Sequence, residues 1–247
     1  MFELKKICKS FGNISALRDI NLNIKSGIIS GLVGPNGSGK TTLINIMSGL
    51  LKSNSGKILL NGRDISRNTP DQIYRFGVSR TFQNIRVFKR MTVLENVISA
   101  MIYTDSFNII EFLKQVKKPC KTKKQFAQNM LEKMEIVELS KLFASELPLP
   151  MLRRLEIARA LANNPKIILL DEPAGGMTPK ETEKLATLII ERIAPTRTCV
   201  VIEHKLDLIK EVCENLFVLN NGEIISQGKP SSVLKQPEVV EAYLGKA

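Results

Sequence analysis

Apolar and polar residues alternate through the first thirty positions, as in FELKKICKSFG (2–12) and INLNI (20–24), which predicts short strands with one buried and one wet face. GIISGLVG (27–34) then runs apolar into a glycine-rich turn, and TTLINIMSGL (41–50) follows with apolar residues at helical spacing. That is strand, loop, helix. SGKILLNGRDI (55–65) reads as a further hairpin strand, with Asn61-Gly62 as its turn. From about 91 to 163 the pattern changes to helices, including TVLENVISAMI, FAQNMLEKMEIV and MLRRLEIARALA, with no strand between them. After Pro165 strands and helices alternate: KIILLDEP, PKETEKLATLIIERI, TCVVIEH, LDLIKEVCE, and then NLFVLNNGEIISQG, which reads as an antiparallel hairpin. Such alternation calls for a parallel sheet with helices on its faces. The expected fold class is therefore α/β, with an antiparallel β part at the N-terminus and a helical insertion.

The 247 residues, 43% hydrophobic and 24% charged, suit a globular chain with a sizeable core. No apolar run reaches the roughly 18 residues of a membrane span, and no charged-then-apolar leader precedes a cleavage site, so a cytosolic chain is expected. Cys8, Cys120, Cys199 and Cys213 form no C-x-x-C pair and stand apart from His204, the one histidine, so neither a zinc site nor a disulfide framework is expected. The net charge of +12 raises nucleic acid or an anionic membrane face as partners. The lysines are spread out, however. The densest run, KQVKKPCKTKK (114–124), is broken by Pro119 and lacks interleaved aromatics, so it reads as a solvated surface with no nucleic-acid partner.

GPNGSGKTT (34–42) carries the strongest chemical signal, because Gly34, Gly39, Lys40 and Thr41 fit G-x-x-x-x-G-K-[ST] between an apolar strand and a helix. In that context the amides of residues 36 to 42 (Asn36, Gly37, Ser38, Gly39, Lys40, Thr41, Thr42) can wrap phosphates, helped by the helix dipole. Lys40 reaches the outer phosphates and the Thr41 hydroxyl can ligate magnesium. IILLDEP (167–173) supplies a buried strand ending in Asp171 and Glu172, at the strand end where α/β sheets place ligand-contacting groups. Asp171 can hold magnesium through its water shell, and Glu172 can orient or deprotonate an attacking water.

On these residues the chain resembles an ATP-binding cassette ATPase, the nucleotide-binding subunit of an ABC transporter, over nearly its whole length. GPNGSGKTT and IILLDE match the family's Walker A and Walker B motifs. RTFQN (80–84) resembles the Q-loop, which implies that Gln83 touches magnesium and the nucleophilic water and signals to a transmembrane partner. VVIEHK (200–205) resembles the switch-histidine strand, implying that His204 contacts the γ-phosphate, and GGMTP (175–179) occupies the D-loop. Phe11, in KSFGN, holds the place of an aromatic that stacks on adenine. The resemblance implies one ABC ATPase domain over 1–247, with a core at 1–84 and 164–247 and a helical subdomain at about 85–163. It also implies Mg-ATP as the bound species, a membrane permease as partner, and a peripheral location at the cytoplasmic face of the membrane. RTFQNIRVFKRMTVLENV and the final VVEAYLG resemble the ATPases of branched-chain amino acid importers.

One motif departs from the family. Just before RRLEIARAL the family reads LSGGQ or a close variant, whose serine and glycine amides bind the ATP held by an opposite subunit. Here the five are Leu147, Pro148, Leu149, Pro150 and Met151. Proline has no N–H, and leucine and methionine bring bulk in place of donors. The helix behind is expected to survive while the anion-binding chemistry is lost. Cassettes act as head-to-tail pairs, so a partner cassette with an intact signature, in an asymmetric heterodimer with one working site, is favoured over pairing with itself. Three other readings stand beside this one: an ABC ATPase of another transport system, a nucleic-acid-linked ABC ATPase, and a low-turnover regulatory module.

Overall fold

The computed structural model describes residues 1–102 and 108–244, so residues 103–107 of the helical stretch and Gly245 of VVEAYLG lie outside it. The alternating N-terminal segments form β1 (Phe2–Phe11) and β2 (Ile14–Ile24), a hairpin that pairs Phe2 with Ile24 and Phe11 with Ile14. β4 (Ser55–Leu60) lies along the other edge of β1, and β5 (Arg63–Asp64) folds back on it. Asn61 and Gly62 make that turn with φ of 49° and 82°, the left-handed pair that a two-residue hairpin of this sequence adopts. The result is an antiparallel sheet in the order β2-β1-β4-β5.

The second sheet is built on β3 (Ile29–Val33), β7 (Ile167–Asp171), β8 (Thr198–Ile202) and β9 (Asn215–Asn220), all parallel. β6 (Val78–Arg80) forms one edge beside β7, and β10 (Glu223–Gly228) pairs antiparallel with β9 at the other. Every residue of β3, β7 and β8 is buried, and successive residues feed opposite cores, Ile168 and Leu170 to one and Ile167 and Leu169 to the other. Burial on both faces is why these strands read as unbroken apolar runs.

α1 (Lys40–Met47) packs between the two sheets, burying Leu43, Ile44, Ile46 and Met47 against Phe2, Leu4 and Ile7 of β1 and Leu169 and Val200 of the parallel sheet. Each such side chain contributes about 1.5–3 kcal/mol on full burial. The opposite face is covered by α3 (Val93–Ala100), α5 (Lys121–Lys133), α6 (Leu149–Leu161), α7 (Pro179–Leu188) and α8 (Leu206–Val212). Thr92 and Thr178 start α3 and α7 as reciprocal caps with Glu95 and Glu181.

Some elements had no strong periodic signal: α2 (Pro70–Arg75), β6, α4 (Ile109–Lys117), α9 (Pro230–Val233) and α10 (Pro237–Leu244). Two helices also differ from expectation at their ends. α5 starts five residues before FAQNMLEKMEIV and stops at Lys133, where Glu135 turns to a φ of 54°. After Leu188 the α7 chain widens into one π-helical stretch, Ile189–Ile193. The basic run 114–124 is mostly exposed, split between the end of α4 and the start of α5.

Candidate functional site

The loop between β3 and α1 is shaped by close backbone approach. A Cβ at Gly34 would lie 2.0 Å from the Leu219 carbonyl oxygen, and one at Gly39, where φ is 107°, would lie 2.8 Å from the Ala16 carbonyl. Lys40, only 6% exposed, donates from Nζ to the carbonyls of Gly34 and Pro35, both at 2.8 Å, with the Ser38 hydroxyl at 3.4 Å. Burial pulls its pKa below the ordinary lysine value, while the charges of Glu172 and Asp171 oppose that shift. A desolvated cation at a glycine-lined helix N-terminus is the arrangement that a phosphate fits.

Across from this loop, β7 ends at Asp171 and the chain bends sharply. Glu172 has φ of 46°, an uncommon left-handed value for a side-chain-bearing residue, and its amide donates to the Ile202 carbonyl at 2.9 Å. Both carboxylate oxygens of Glu172 are engaged: Gln83 Nε2 donates to Oε2 at 3.0 Å, and His204 Nε2 lies 2.9 Å from Oε1. Asp171 is held differently. Its Oδ2 accepts from Arg80 Nη2 at 2.8 Å in a buried ion pair, and its amide donates to the Thr81 hydroxyl at 3.0 Å. Glu203 is buried beneath the turn and accepts from the amides of Ala174, at 2.8 Å, and His204, at 3.1 Å. Burial raises its pKa, and these amide bonds partly offset the rise.

Asn36, Gly37, Gly39, Lys40, Thr41, Thr42, Gln83, Asp171, Glu172 and His204 line a single open cleft of about 550 Å³. Ser38 is buried beneath the loop against Lys40. Phe11 is not brought into the cleft: its ring is exposed near the hairpin turn, with the Lys9 ammonium 5.2 Å above it. The same hairpin reaches the cleft through Ile14, Ser15, Ala16 and Arg18 instead. Among the described residues no three His, Cys, Asp or Glu side chains group around a metal position. Among the oxygen donors lining the cleft are the Thr41 hydroxyl, the Gln83 amide and the Asp171 carboxylate. That set suits magnesium, which takes one or two carboxylates together with substrate phosphates.

The departure at 147–151 has a definite shape. Leu147 is buried in the core, Pro148 precedes the first turn of α6, and Leu149 lies over Gly176, where an added Cβ would meet Leu149 Cδ2 at 2.8 Å. Pro148 and Pro150 have no N–H, and the Met151 amide donates to the Pro148 carbonyl at 3.0 Å. The helix behind is nevertheless well anchored. Arg153 donates to the carbonyls of Phe82, at 3.0 Å, and Gln83, at 2.8 Å, while Glu156 accepts from the Phe82 amide at 3.0 Å. α6 therefore clamps the backbone that carries Gln83.

Arg80, Glu203 and Arg153 were missed by sequence reasoning. Each acts through contacts tens of residues away in the chain, except that Glu203, a carboxylate inside the apolar VVIEH run, could have been noticed as a buried charge.

Known proteins resemble this chain over most of its length. A profile of the family described as ABC transporter matches residues 17–175. The high-affinity branched-chain amino acid transport ATP-binding protein LivG of Escherichia coli is 37% identical over 241 residues, covering 96% of this chain and 94% of that protein. The probable branched-chain amino acid transport ATP-binding protein LivG of Methanocaldococcus jannaschii is 34% identical over 250 residues, covering 98% of this chain and 96% of that one. The crystal structure of the ADP conformation of an ATP-binding cassette of an ABC transporter superposes with a TM-score of 0.88 at 33% identity, covering 100% of this chain and 99% of that one.

Proposed function

The chain belongs to the ABC transporter family as an ATP-binding, ATP-hydrolysing cassette, and from that premise we propose that it powers branched-chain amino acid uptake through a separate membrane permease. It works at the cytoplasmic face of the membrane as one cassette domain, with the helices of 85–163 and the segment after Gln83 docked on the permease. The names of its relatives support the choice of solute. Among the described residues no helix is long and apolar enough to cross a membrane.

The observation that carries the hydrolytic assignment is the double hold on Glu172, by Gln83 and His204, across one cleft from the glycine loop. ATP phosphates lie against the amides of residues 36 to 42, and Lys40 neutralises the outer ones. Phe11, on the hairpin that reaches the cleft through Ile14, Ser15 and Ala16, is the aromatic that would stack on adenine, although its exposed ring lies outside the cleft lining. Thr41, Gln83 and Asp171 would hold magnesium, which when bound supplies charge neutralisation at the β- and γ-phosphates. Glu172 orients a water and takes its proton, its strained backbone fixing the carboxylate before substrate arrives. His204 donates to the transferred phosphoryl group, and Gln83 reports the occupancy of the site to the permease side.

The prolines ahead of α6 support an asymmetric pair. The Walker groups here complete one site with a partner cassette whose signature is intact, and Leu147 to Met151 leave the other site poor. Removing one preorganised donor commonly costs about a hundredfold or more in rate. The test is the complex purified with its native partners. Glu172→Gln in this chain should abolish most ATPase activity, and the equivalent change in the partner should cost little. The reverse pattern refutes the asymmetry as assigned.

A further inference from the structure

Arg80 is a buried cation with all three nitrogens engaged. Nη2 donates to Asp171 Oδ2 at 2.8 Å, and Nη1 donates to Asn45 Oδ1 at 2.6 Å and Ser48 Oγ at 3.1 Å. Nε donates to the Thr81 carbonyl at 3.2 Å, and the guanidinium lies 5.0 Å from the Phe82 ring centroid. Side-chain exposure is 8% for Arg80 and 7% for Asp171, so this is no solvent-screened surface pair. Asn45 lies in α1 and Ser48 caps its end, and that helix begins with Lys40 and Thr41. Thr81, next along the chain, accepts the Asp171 amide. The edge strand thus grips Asp171 at backbone and side chain together, and ties it to the far end of the phosphate-binding helix.

We propose that Arg80 is a positioning residue for the magnesium site: it holds Oδ2 of Asp171, leaves Oδ1 to serve the cleft, and fixes that orientation relative to the helix carrying Thr41. The inference rests on the reading of Asp171 as the magnesium-side carboxylate. A guanidinium is suited to the task because its planar fork reaches the carboxylate, Asn45 of α1 and its capping Ser48 at once, which an ammonium cannot do. Residues that orient a metal's ligands from behind typically contribute about ten- to a hundredfold to metal affinity.

The test uses the full chain and two binding measurements that need no turnover: ATP affinity by calorimetry in excess chelator, and Mn2+ affinity of the ATP-loaded chain by electron paramagnetic resonance. Arg80→Gln is expected to weaken Mn2+ binding by about ten- to a hundredfold while ATP affinity in chelator stays close to that of the parent. Arg80→Lys should recover part of the loss, because it restores a charge to Asp171 but cannot also span Asn45 and Ser48. If Arg80→Gln does not fold, Asn45→Ala serves in its place, since it loosens Arg80 and leaves the ion pair; Mn2+ binding should then fall severalfold. Unchanged Mn2+ affinity in a folded variant overturns the proposal. So does an equal loss of ATP affinity in chelator, which would assign Arg80 to holding α1 alone. Asp171→Asn separates the two layers of inference. If it leaves Mn2+ binding intact, the magnesium reading of Asp171 fails and this inference with it; if it weakens Mn2+ binding and Arg80→Gln does not, the role of Arg80 fails alone.

Discussion

Rebuilding the missing signature in this chain is the sharpest test of the asymmetry. The perturbation is fourfold: Pro148→Ser, Leu149→Gly, Pro150→Gly and Met151→Gln. Positions 148 and 150 gain backbone N–H groups that proline lacks, the introduced serine adds a hydroxyl, and the bulk of Leu149 over Gly176 is removed. The change should not unfold the helix. The serine takes the N-cap position that Pro148 now occupies and returns about 1 kcal/mol, while each glycine costs up to about 1 kcal/mol in a helix interior and less in the first turn. Leu149 is 38% exposed, so little apolar burial is lost, and Arg153 and Glu156 continue to pin α6 to the Gln83 segment. On the catalytic side, one preorganised donor is worth about 2.7–4 kcal/mol, and donors acting as a unit do not add. The expected gain in steady-state ATPase of the chain paired with itself is therefore about a hundred- to a thousandfold. The assay is phosphate release against chain concentration, together with ATP-dependent dimerisation by size exclusion in a Glu172→Gln background. A graft that folds, binds ATP and still shows the parental rate and no dimer would remove the signature as the explanation.

Gly34→Ala should abolish folding or lower stability by about 4 kcal/mol or more, because the new methyl would lie 2.0 Å from the Leu219 carbonyl oxygen, and a thermal melt reads this directly. Glu203 has its pKa raised above 4.5 by burial, so its protonated form is favoured in the fold and its stabilising share is full below 4.5, then lost as pH rises through the folded value. The parent should accordingly lose stability relative to Glu203→Gln as pH climbs above 4.5, checked by denaturant unfolding of both proteins across that range. Chelating divalent ions should reduce ATP hydrolysis by several orders of magnitude and leave ATP bound, seen as single-turnover rate against retained nucleotide after gel filtration.

Contiguous chemistry was legible in the sequence and distributed chemistry was not. The glycine loop needs its residues in order along one strand–helix turn, so GPNGSGKTT announces itself, as do the paired carboxylates ending an apolar strand. Gln83 and His204 were found through resemblance, and the structure brings both to Glu172. Arg80 carried no local signal, because what defines it is a partner ninety-one residues away, and a three-residue edge strand is too short for any periodicity to register. Phe11 was also found through resemblance, and its exposed ring lies outside the cleft lining. The hairpin itself reaches the cleft through Ile14, Ser15, Ala16 and Arg18. The prolines at 148 and 150 are compatible with helix initiation in sequence and structure alike, since position and missing donor follow from covalent structure alone.

The two neighbouring carboxylates answer to different strands. Among the described residues, Asp171 takes its side-chain anchor and its hydroxyl partner from Arg80 and Thr81 on the β6 flank, whereas Glu172 is gripped by Gln83, just past β6, and by Ile202 at the end of β8 and His204 just beyond it. A disturbance that travels down the β6 edge, where α6 and the segment after Gln83 meet, therefore reaches both groups at once. One that arrives through the histidine reaches Glu172 alone. On the roles proposed for them, one line would disarm both carboxylates and a second Glu172 alone, though the two are adjacent residues at a single strand end.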